Sequence, residues 1–256
     1  MSDGKSKCGL AVITGGTKGL GRALSLAFAR AGYEVIGIYR SDSDSARDLQ
    51  STFEAAGLAG TFIKQDIREE SEWPELIEVL RARNFDEYVF VANACVSFTP
   101  KPIHLIEWAE ISQKIDVNVK GTFSVFKQLI SYMVRARQGT VVSILSTALD
   151  PPSKGFAAYL TAKSALDGLT RSIAAEYGQK GIRAFSVSPG LMDTTLLDGW
   201  SDHLKSAINA GGDGLQQPCS VAGAILDLVK NPSVTANGET YRLEDPGSSS
   251  FKADAA

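Results

Sequence analysis

Short apolar runs alternate along the chain with longer segments in which apolar residues recur every three or four positions. The run GLAVIT (9–14) predicts a buried strand, and GLGRALSLAFARAG (19–32) places its apolar residues on one helical stripe. The predicted strands are residues 9–14, 34–40, 61–64, 87–92, 139–145, 182–188 and 239–243. The predicted helices are residues 19–32, 45–56, 71–83, 104–137 with a break near 113–115, 156–178, 201–210 and 220–230.

This alternation of strands and helices runs without a linker, a repeat or a low-complexity block. Continuous apolar strands joined by helices are typical of a parallel sheet that is covered on both faces. We therefore predict an α/β protein with a doubly wound parallel sheet. The polar, serine-rich residues from about 246 to 256 predict a mobile tail.

Composition and charge exclude several classes of function. The formal net charge is -3 and no run of Lys or Arg occurs, so nucleic acid is not an expected partner. No apolar run is long enough to span a membrane, and residues 1–10 lack the apolar core of a secretory signal. The three cysteines are widely separated, and there are only two histidines. We expect a cytoplasmic protein with reduced thiols and no metal site.

A glycine-rich segment, TGGTKGLG, lies between the first predicted strand and the first predicted helix. Its glycines Gly15, Gly19 and Gly21 would let the backbone approach a pyrophosphate, and the helix N-terminus would supply N–H donors. The alternative is that the glycines only make a tight turn. The position directly after an N-terminal buried strand favours the phosphate-binding interpretation.

The segment AAYLTAKSAL places Tyr159 and Lys163 four positions apart in a predicted helix. Both side chains therefore lie on one helix face, one turn apart. A phenol and an ammonium held this close form either an exposed surface pair or the centre of a proton-transfer site.

Together, these motifs resemble the short-chain dehydrogenase/reductase family. The resemblance rests on T-G-x-x-x-G-x-G at the first turn, on YLTAK, on a serine 13 residues before the tyrosine (Ser146), on VNVKG and on SPGLMDT. It extends from Leu10 to about Pro246 and is strong toward the 3-oxoacyl-carrier-protein reductases. It implies that residues 1–256 form one Rossmann-type dinucleotide-binding catalytic domain.

The resemblance also implies roles for four catalytic residues. Tyr159 is the acid in carbonyl reduction and the base in alcohol oxidation, and Ser146 holds the substrate oxygen. Lys163 binds the nicotinamide ribose, and its ammonium is expected to favour the phenolate form of the tyrosine. The backbone carbonyl of Asn118, at an irregular point of its helix, holds a water that connects Lys163 to solvent.

Two cations decide the expected cofactor. Arg40 follows the second strand and Lys18 lies in the glycine loop, where they suit a 2′-phosphate and favour NADP(H) over NAD(H). Asp42 lies close enough in sequence to keep NAD(H) open. The residues expected to bind the cofactor, from the resemblance and from these charges, are Gly15, Thr17, Lys18, Gly19, Leu20, Gly21, Arg40, Asp66, Ile67, Asn93, Ala94, Tyr159, Lys163, Pro189, Gly190, Met192 and Thr194.

The chain departs from the family pattern after the fourth strand, where ANAC replaces NNAG. Ala92 removes an asparagine that usually ties neighbouring strands, and Cys95 adds a side chain beside the expected cofactor ribose. Cys95 would be strained if the backbone there had a positive φ. We expect it to be a tolerated small residue rather than a catalytic or redox-active thiol.

The substrate pocket is expected between residues 147–156 and 191–217, with Met192, Leu196, Leu197 and Trp200 as apolar candidates. The apolar character of these candidates predicts a mainly uncharged carbonyl substrate, either a small molecule or a group on a carrier protein. The alternatives are an NAD-dependent alcohol or sugar dehydrogenase and a non-catalytic cofactor-sensing scaffold. By resemblance, residues 104–137 and 156–178 are expected to form a homodimer or homotetramer.

Overall fold

The computed structural model describes residues 9–70, 73–192, 194, 200, 215–243 and 251–253. Within these ranges the strands form one sheet in the order β3-β2-β1-β4-β5-β6-β7-β8. The first seven are parallel, and β8 pairs with β7 in the antiparallel direction. The strands are β1 Gly9–Thr14, β2 Tyr33–Tyr39, β3 Gly60–Lys64, β4 Glu87–Ala92, β5 Gly139–Ile144, β6 Ile182–Pro189, β7 Thr240–Leu243 and β8 Phe251–Ala253.

Helices connect the parallel strands on both faces of the sheet. They are α1 Gly19–Arg30, α2 Ser43–Ala55, α3 Pro74–Ala82, α4 Trp108–Ile115, α5 Gly121–Ala136, α6 Ala157–Tyr177 and α7 Pro218–Lys230. None of the helices in the described ranges is long and apolar enough to cross a membrane.

The sheet separates two hydrophobic cores, as strand β1 illustrates. Leu10 and Val12 pack into one core, whereas Ala11 and Ile13 pack into the other. All four side chains are at most 1% exposed, because neighbouring residues of a strand point to opposite faces and both faces are covered by helices. The predicted doubly wound α/β fold is confirmed.

The order of the strands reverses at β1, which lies between β2 and β4. The chain leaves β1 toward one edge of the sheet, and after β3 it returns to the other side of β1. In open parallel sheets, the crevice at the carboxyl ends of the strands at such a point is the usual ligand site. The ends of β1 and β4 therefore define where a functional site is expected.

Several element boundaries differ from the sequence prediction. Helix α3 begins at Pro74 rather than at residue 71, with proline in the first turn where its missing N–H has no helical partner. The predicted break near 113–115 is absent; instead, α4 continues through the π-helical turn Asp116–Lys120 into α5. Residues 251–253 form a strand, although they were predicted to belong to a mobile tail. The predicted helix 201–210 lies outside the described residues.

Candidate active site

The turn between β1 and α1 forms a backbone cradle that excludes side chains at two positions. Gly15 has a φ of 64°, which is strained for residues with a Cβ. A Cβ on Gly21 would lie 1.9 Å from the carbonyl oxygen of Gly15, which no packing adjustment can accommodate. The first turn of α1 therefore approaches the end of β1 closely enough to leave backbone N–H groups facing the crevice.

Thr14 joins the ends of β1 and β4. Its Oγ1 accepts hydrogen bonds from the backbone N–H groups of Asn93 and Ala94, both at 3.0 Å. The Asn93 side chain returns a bond from Nδ2 to the Thr14 carbonyl oxygen at 2.9 Å. Ala92 pairs with Ser143 in the ladder between β4 and β5. Strand β4 therefore keeps its contacts with β1 and with β5, although Ala92 replaces the usual asparagine.

A cavity of about 450 Å³ opens at the carboxyl ends of β1, β2, β3 and β4. It brings together most of the residues predicted to bind a cofactor: Gly15, Thr17, Lys18, Gly19, Leu20, Gly21, Arg40, Asp66, Ile67, Asn93, Ala94, Met192 and Thr194. Four others, Tyr159, Lys163, Pro189 and Gly190, are not part of its lining.

Sequence reasoning missed part of this lining. The additional residues are Ile38, Tyr39, Ser41, Gln65, Val96, Ser97 and Val117. Asp42 and Cys95 also line the cavity; the sequence had placed them near the cofactor without counting them among its binding residues. All but Val117 end a strand or follow one of β2, β3 and β4. Their common signal is that position, since the carboxyl ends of parallel strands meet at one edge of the sheet.

Asp42 and Lys18 form an ion pair at the edge of this cavity. The bond from Lys18, followed by the backbone N–H of Ser45, lowers the pKa of Asp42 to about 2. Asp42 is also the N-cap of α2, since its Oδ1 accepts from Ser45 N at 2.9 Å. Arg40 is exposed and forms no ion pair with a carboxylate of the described residues. Of the two predicted phosphate-binding cations, one is therefore partly neutralised by its neighbour.

Asp66 is held by Arg68, a contact that the sequence did not indicate. The Arg68 guanidinium donates to both carboxylate oxygens, from Nε to Oδ1 at 2.9 Å and from Nη2 to Oδ2 at 2.5 Å. These bonds are the main reason why the pKa of Asp66 lies below its usual value. The carboxylate is thus ionised and fixed at the end of β3.

Lys163 is buried beside the end of β5. Its side chain is 2% exposed, and Nζ donates to the carbonyl oxygen of Ile144 at 2.7 Å. Burial lowers the pKa of Lys163. Nζ also lies 5.7 Å from the centroid of the Tyr159 ring. The predicted surface-pair alternative is therefore wrong, because both members of the pair are inside the protein.

The acidity of Tyr159 differs from the sequence expectation. Burial raises the pKa of this phenol, the nearby sulfur of Cys95 raises it further, and a hydrogen bond with Ser146 lowers it. Sequence reasoning expected Lys163 to favour the phenolate; in the protein itself, burial acts in the opposite direction. The phenol is held protonated, next to the hydroxyl of Ser146.

Asn118 lies in the π-helical turn, as the expectation of an irregular helix at this residue required. Its Nδ2 donates to the Lys114 carbonyl oxygen at 2.9 Å. The residue is 2% exposed, and its Oδ1 has no hydrogen-bond partner among the described residues. A π-helical turn widens the helix and leaves backbone carbonyls without their usual partners, and such turns are frequent at functional sites.

Two aromatic rings contact Tyr159, and a third packs against both of them. Phe98 stacks on its ring, with centroids 4.7 Å apart and planes inclined by 16°. Phe156 meets the Tyr159 ring edge-on at 6.3 Å. Trp200 meets Phe98 and Phe156, each at 5.5 Å. Trp200, a predicted pocket residue, thus packs within this aromatic group, whereas Leu196 and Leu197 lie outside the described residues.

Cys95 lies in the cavity lining and close to both members of the tyrosine–lysine pair. Its backbone is outside the left-handed region, so the strain considered from the sequence is absent. Its thiol has one weak contact, to the Val96 carbonyl oxygen at 3.6 Å. Within the described ranges Cys95 and Cys219 are free thiols, and no group of three or more His, Cys, Asp or Glu side chains could hold a metal ion.

The Pro189–Gly190 segment at the end of β6 is held by a buried glutamine. Gln216 accepts a bond from Gly190 N at 2.8 Å and donates to the Leu243 carbonyl oxygen at 2.7 Å. Met192 pairs with the same residue in an isolated bridge. These bonds fix the direction in which the chain enters the cavity at Met192 and Thr194.

Comparisons with known proteins agree with this arrangement. The family model described as short chain dehydrogenase matches residues 9–205. A 3-oxoacyl-(acyl-carrier-protein) reductase of Staphylococcus epidermidis is 28% identical over 76% of this chain and 80% of its own length. A 3beta-hydroxysteroid dehydrogenase of Eggerthella lenta is 30% identical over 72% of this chain and 71% of its own.

The fold is also found in a solved structure. The 3-ketoacyl-(acyl-carrier-protein) reductase from Brucella melitensis, complexed with NADH, superimposes with a TM-score of 0.82. It is 23% identical, and the match covers 96% of this chain and 99% of that one. The glycine cradle, the buried tyrosine–lysine pair and the family match together lead to one conclusion: the chain belongs to the short-chain dehydrogenase family and is an oxidoreductase that resembles the 3-oxoacyl-(acyl-carrier-protein) reductases.

Proposed function

We propose that this protein reduces a carbonyl group to an alcohol with NADPH, using Tyr159 as the proton donor. The observation that carries the proposal is the buried Tyr159, which lies beside Ser146 and one helical turn from Lys163. A protonated phenol beside a hydroxyl can donate a proton to a carbonyl oxygen that the hydroxyl helps to hold.

The cavity fits a nicotinamide dinucleotide. Its floor is a glycine turn in which a Cβ at Gly21 would clash with the Gly15 carbonyl oxygen, so this turn needs glycine to lie close against the start of α1, where a pyrophosphate can meet backbone N–H groups. Asp66 at the end of β3 offers a fixed carboxylate, and Arg40 offers a cation without an ion-pair partner among the described residues. When bound, the cofactor supplies a hydride to the carbonyl carbon.

The residues of this chain supply the proton and hold the developing charge. As the carbonyl carbon gains a hydride, the electrons of the C=O double bond move to oxygen, which takes the Tyr159 proton. Ser146 donates a hydrogen bond to the same oxygen, and its position is supported by Ala148 N, which donates to Ser146 Oγ at 3.2 Å. Lys163 binds the cofactor ribose and stabilises the phenolate that remains after transfer.

Asn118 supports the return of a proton to Tyr159. Its unpaired Oδ1 is buried, and the π-helical turn frees backbone carbonyl groups beside it. A water bound there would connect Lys163 to solvent and reprotonate the phenolate between turnovers.

The choice between NADPH and NADH is the part of the proposal for which we name an alternative. Arg40 supports a 2′-phosphate and hence NADPH. Asp42 also lines the cavity, and a carboxylate at this place would accept bonds from the ribose diol of NADH. An NAD-dependent alcohol or sugar dehydrogenase is therefore the second candidate. The ion pair between Lys18 and Asp42 favours NADPH, because a carboxylate already bound by an ammonium is a weaker acceptor for a diol.

The substrate of the proposed reaction is a 3-oxoacyl group or a small ketone of secondary metabolism. The reductases named above act on 3-oxoacyl groups held by a carrier protein, and the dehydrogenase from Eggerthella lenta acts on a hydroxysteroid, as their names state. We further propose a cytoplasmic homodimer or homotetramer. Ile103, Leu105 and Trp108 support association, since they are 57–72% exposed large apolar residues beside α4.

Loss of absorbance at the nicotinamide band, followed with NADPH or NADH and a set of ketones, tests the function. Tyr159→Phe should lower turnover by about 10²–10⁴-fold and leave cofactor affinity within a few-fold. Retention of most of the rate would contradict the role of Tyr159. If the wild-type chain binds NADPH but turns over no ketone and no alcohol, the non-catalytic scaffold becomes the better description.

A further inference from the structure

The rings around Tyr159 form a continuous aromatic wall, which we define as Phe98, Phe156 and Trp200. The stacked pair of Phe98 and Tyr159 is the centre of this wall, and Phe156 and Trp200 each meet Phe98 nearly at right angles, at 80° and 77°. The centroid distances lie between 4.7 and 5.5 Å for the contacts that Phe98 makes. These are the distances and angles of favourable aromatic pairs.

The wall carries almost no polarity toward the reacting group. Its one polar hydrogen is the indole N–H of Trp200, and this N–H donates to the Phe98 carbonyl oxygen at 2.5 Å. Trp200 is only 4% exposed, so the tether is protected from water. A hydroxyl or a charge of a substrate that lay against this wall would lose its hydration without gaining a partner.

The wall is assembled from three separate segments. Phe98 follows β4, Phe156 is the N-cap residue of α6, and Trp200 follows β6. The Lys101 N–H donates to the Gly155 carbonyl oxygen at 3.0 Å, which ties the first segment to the second beside the rings. The rings are therefore held in place before a substrate arrives, as a selective site requires.

We propose that the substrate is an uncharged ketone whose carbonyl is part of, or directly attached to, a ring. This inference deepens the proposed function and rests on it. A carbonyl oxygen that accepts the Tyr159 proton must reach the hydroxyl end of this ring. Because Phe98 and Phe156 contact the Tyr159 ring, we expect the substituents of the carbonyl carbon to lie against the aromatic wall. A planar or alicyclic ring covers that wall with little loss of conformational freedom, whereas a flexible chain must be ordered first.

Two other substrate classes fit the wall less well. A sugar or polyol brings several hydroxyl groups, for which the three rings offer no partner. A 3-oxoacyl thioester can pass its chain over apolar rings, but it gains only apolar burial and not the geometry of ring pairs.

The test compares three probes of matched chemistry. They are α-tetralone, which is a bicyclic aromatic ketone; methyl octyl ketone, which has the same number of carbon atoms in an open chain; and the acetoacetyl thioester of N-acetylcysteamine. The open-chain ketone is the more hydrophobic of the two ketones, so apolar burial alone favours it and ring recognition favours α-tetralone. Binding to the full chain with excess NADP⁺ is measured by calorimetry, and kcat/KM is measured with NADPH.

Two variants remove rings from the wall, and one serves as the control. Phe98→Leu and Phe156→Leu keep apolar volume and lose one ring each. Each variant is expected to bind α-tetralone about three- to tenfold more weakly and to change the affinity for the open-chain ketone less than twofold. Phe123→Leu makes the same change on α5, where Phe123 is 47% exposed and contacts none of the three rings. NADPH affinity should be unchanged in all three, since none of these residues lines the cofactor cavity.

The outcomes separate the inference from the proposed function. The inference is supported if α-tetralone binds more tightly and is reduced faster than the open-chain ketone and the thioester, and if both wall variants lose this preference. The inference is overturned if the open-chain ketone or the thioester binds as tightly as α-tetralone or more tightly. It is also overturned if no probe binds, or if the preference for α-tetralone survives in both variants. If α-tetralone is preferred in binding, the preference is lost in both wall variants and α-tetralone is not reduced, the aromatic wall is supported as a ring-binding site and the proposed reduction fails.

Discussion

Lys18 and Asp42 form an ion pair at the edge of the cofactor cavity, although sequence reasoning assigned the lysine to a phosphate and the aspartate to a ribose diol. Each residue thus weakens the interaction that the other could make with a bound cofactor. Both side chains are about one third to two fifths exposed, so the pair itself adds little to stability. Its effect is on specificity, and it can be separated from Arg40 by substitution.

Asp42→Asn should tighten NADPH binding by about threefold or more and change NADH binding less. The substitution frees the Lys18 ammonium and removes a negative charge from the expected position of the 2′-phosphate. Asparagine can still accept from Ser45 N, so the cap of α2 is kept. The measurement is a titration of each cofactor. Asp44→Asn, in the first turn of the same helix, is the control, and unchanged or weaker NADPH binding to Asp42→Asn would contradict the prediction.

Arg40→Ala should weaken NADPH binding tenfold or more and leave NADH binding nearly unchanged. One charge-assisted contact to a phosphate is worth about 1.5–3 kcal/mol. Arg47→Ala is a matched control, because Arg47 is an exposed arginine of α2 that pairs with Asp44. Equal affinities of the wild-type chain for NADPH and NADH would refute the choice of cofactor and favour the dehydrogenase alternative.

The pH dependence of ketone reduction should lack an alkaline decline below about pH 10. Reduction needs the protonated phenol, and burial raises the pKa of Tyr159 above the ordinary tyrosine value of about 10. The acid form therefore persists as the pH rises, and loss of activity is shifted upward. The measurement is kcat/KM for a ketone at saturating NADPH. A decline centred between pH 7 and 9 that is absent from the residual rate of Tyr159→Phe would show that the phenol is more acidic than its burial implies.

Cys95→Gly and Cys95→Ser should keep the rate of reduction within several-fold. The thiol makes one weak contact, the backbone is not strained there, and a tyrosine acid needs no sulfur nucleophile. Because Cys95 lines the cavity, bound NADPH should protect it from alkylation. Both variants are compared with Tyr159→Phe in the same assay. Losses as severe as that of Tyr159→Phe, in chains that fold and bind cofactor normally, would point to a different chemistry.

The cofactor cavity could be predicted from the sequence because its determinants are local. Gly15 and Gly21 act through the backbone of one turn, and Asp66, Asn93 and Ala94 each follow a strand whose position the apolar pattern reveals. The carboxyl ends of parallel strands must meet at one edge, so residues at strand ends can be assigned to one site without knowledge of side-chain packing.

The aromatic wall and the acidity of Tyr159 could not be predicted in this way. Phe98, Phe156 and Trp200 come from three segments with no common spacing, and nothing in the sequence shows that they meet. The sequence places Lys163 near the phenol but says nothing about how much water is excluded. Burial raises the pKa of Tyr159, which is opposite to the direction expected from Lys163.

The hydrogen bonds between Thr14 and Asn93 have a consequence for the lifetime of the protein in a cell. The two residues are 79 positions apart, so the ends of β1 and β4 are joined only after these two strands have paired. A cofactor that needs this cradle binds the native chain and no partly folded form. At a concentration one hundred times its Kd, such a ligand adds about 2.7 kcal/mol to the free energy of unfolding. Proteases act on the unfolded fraction, so we expect a supply of cofactor to lengthen the survival of the chain in a cell.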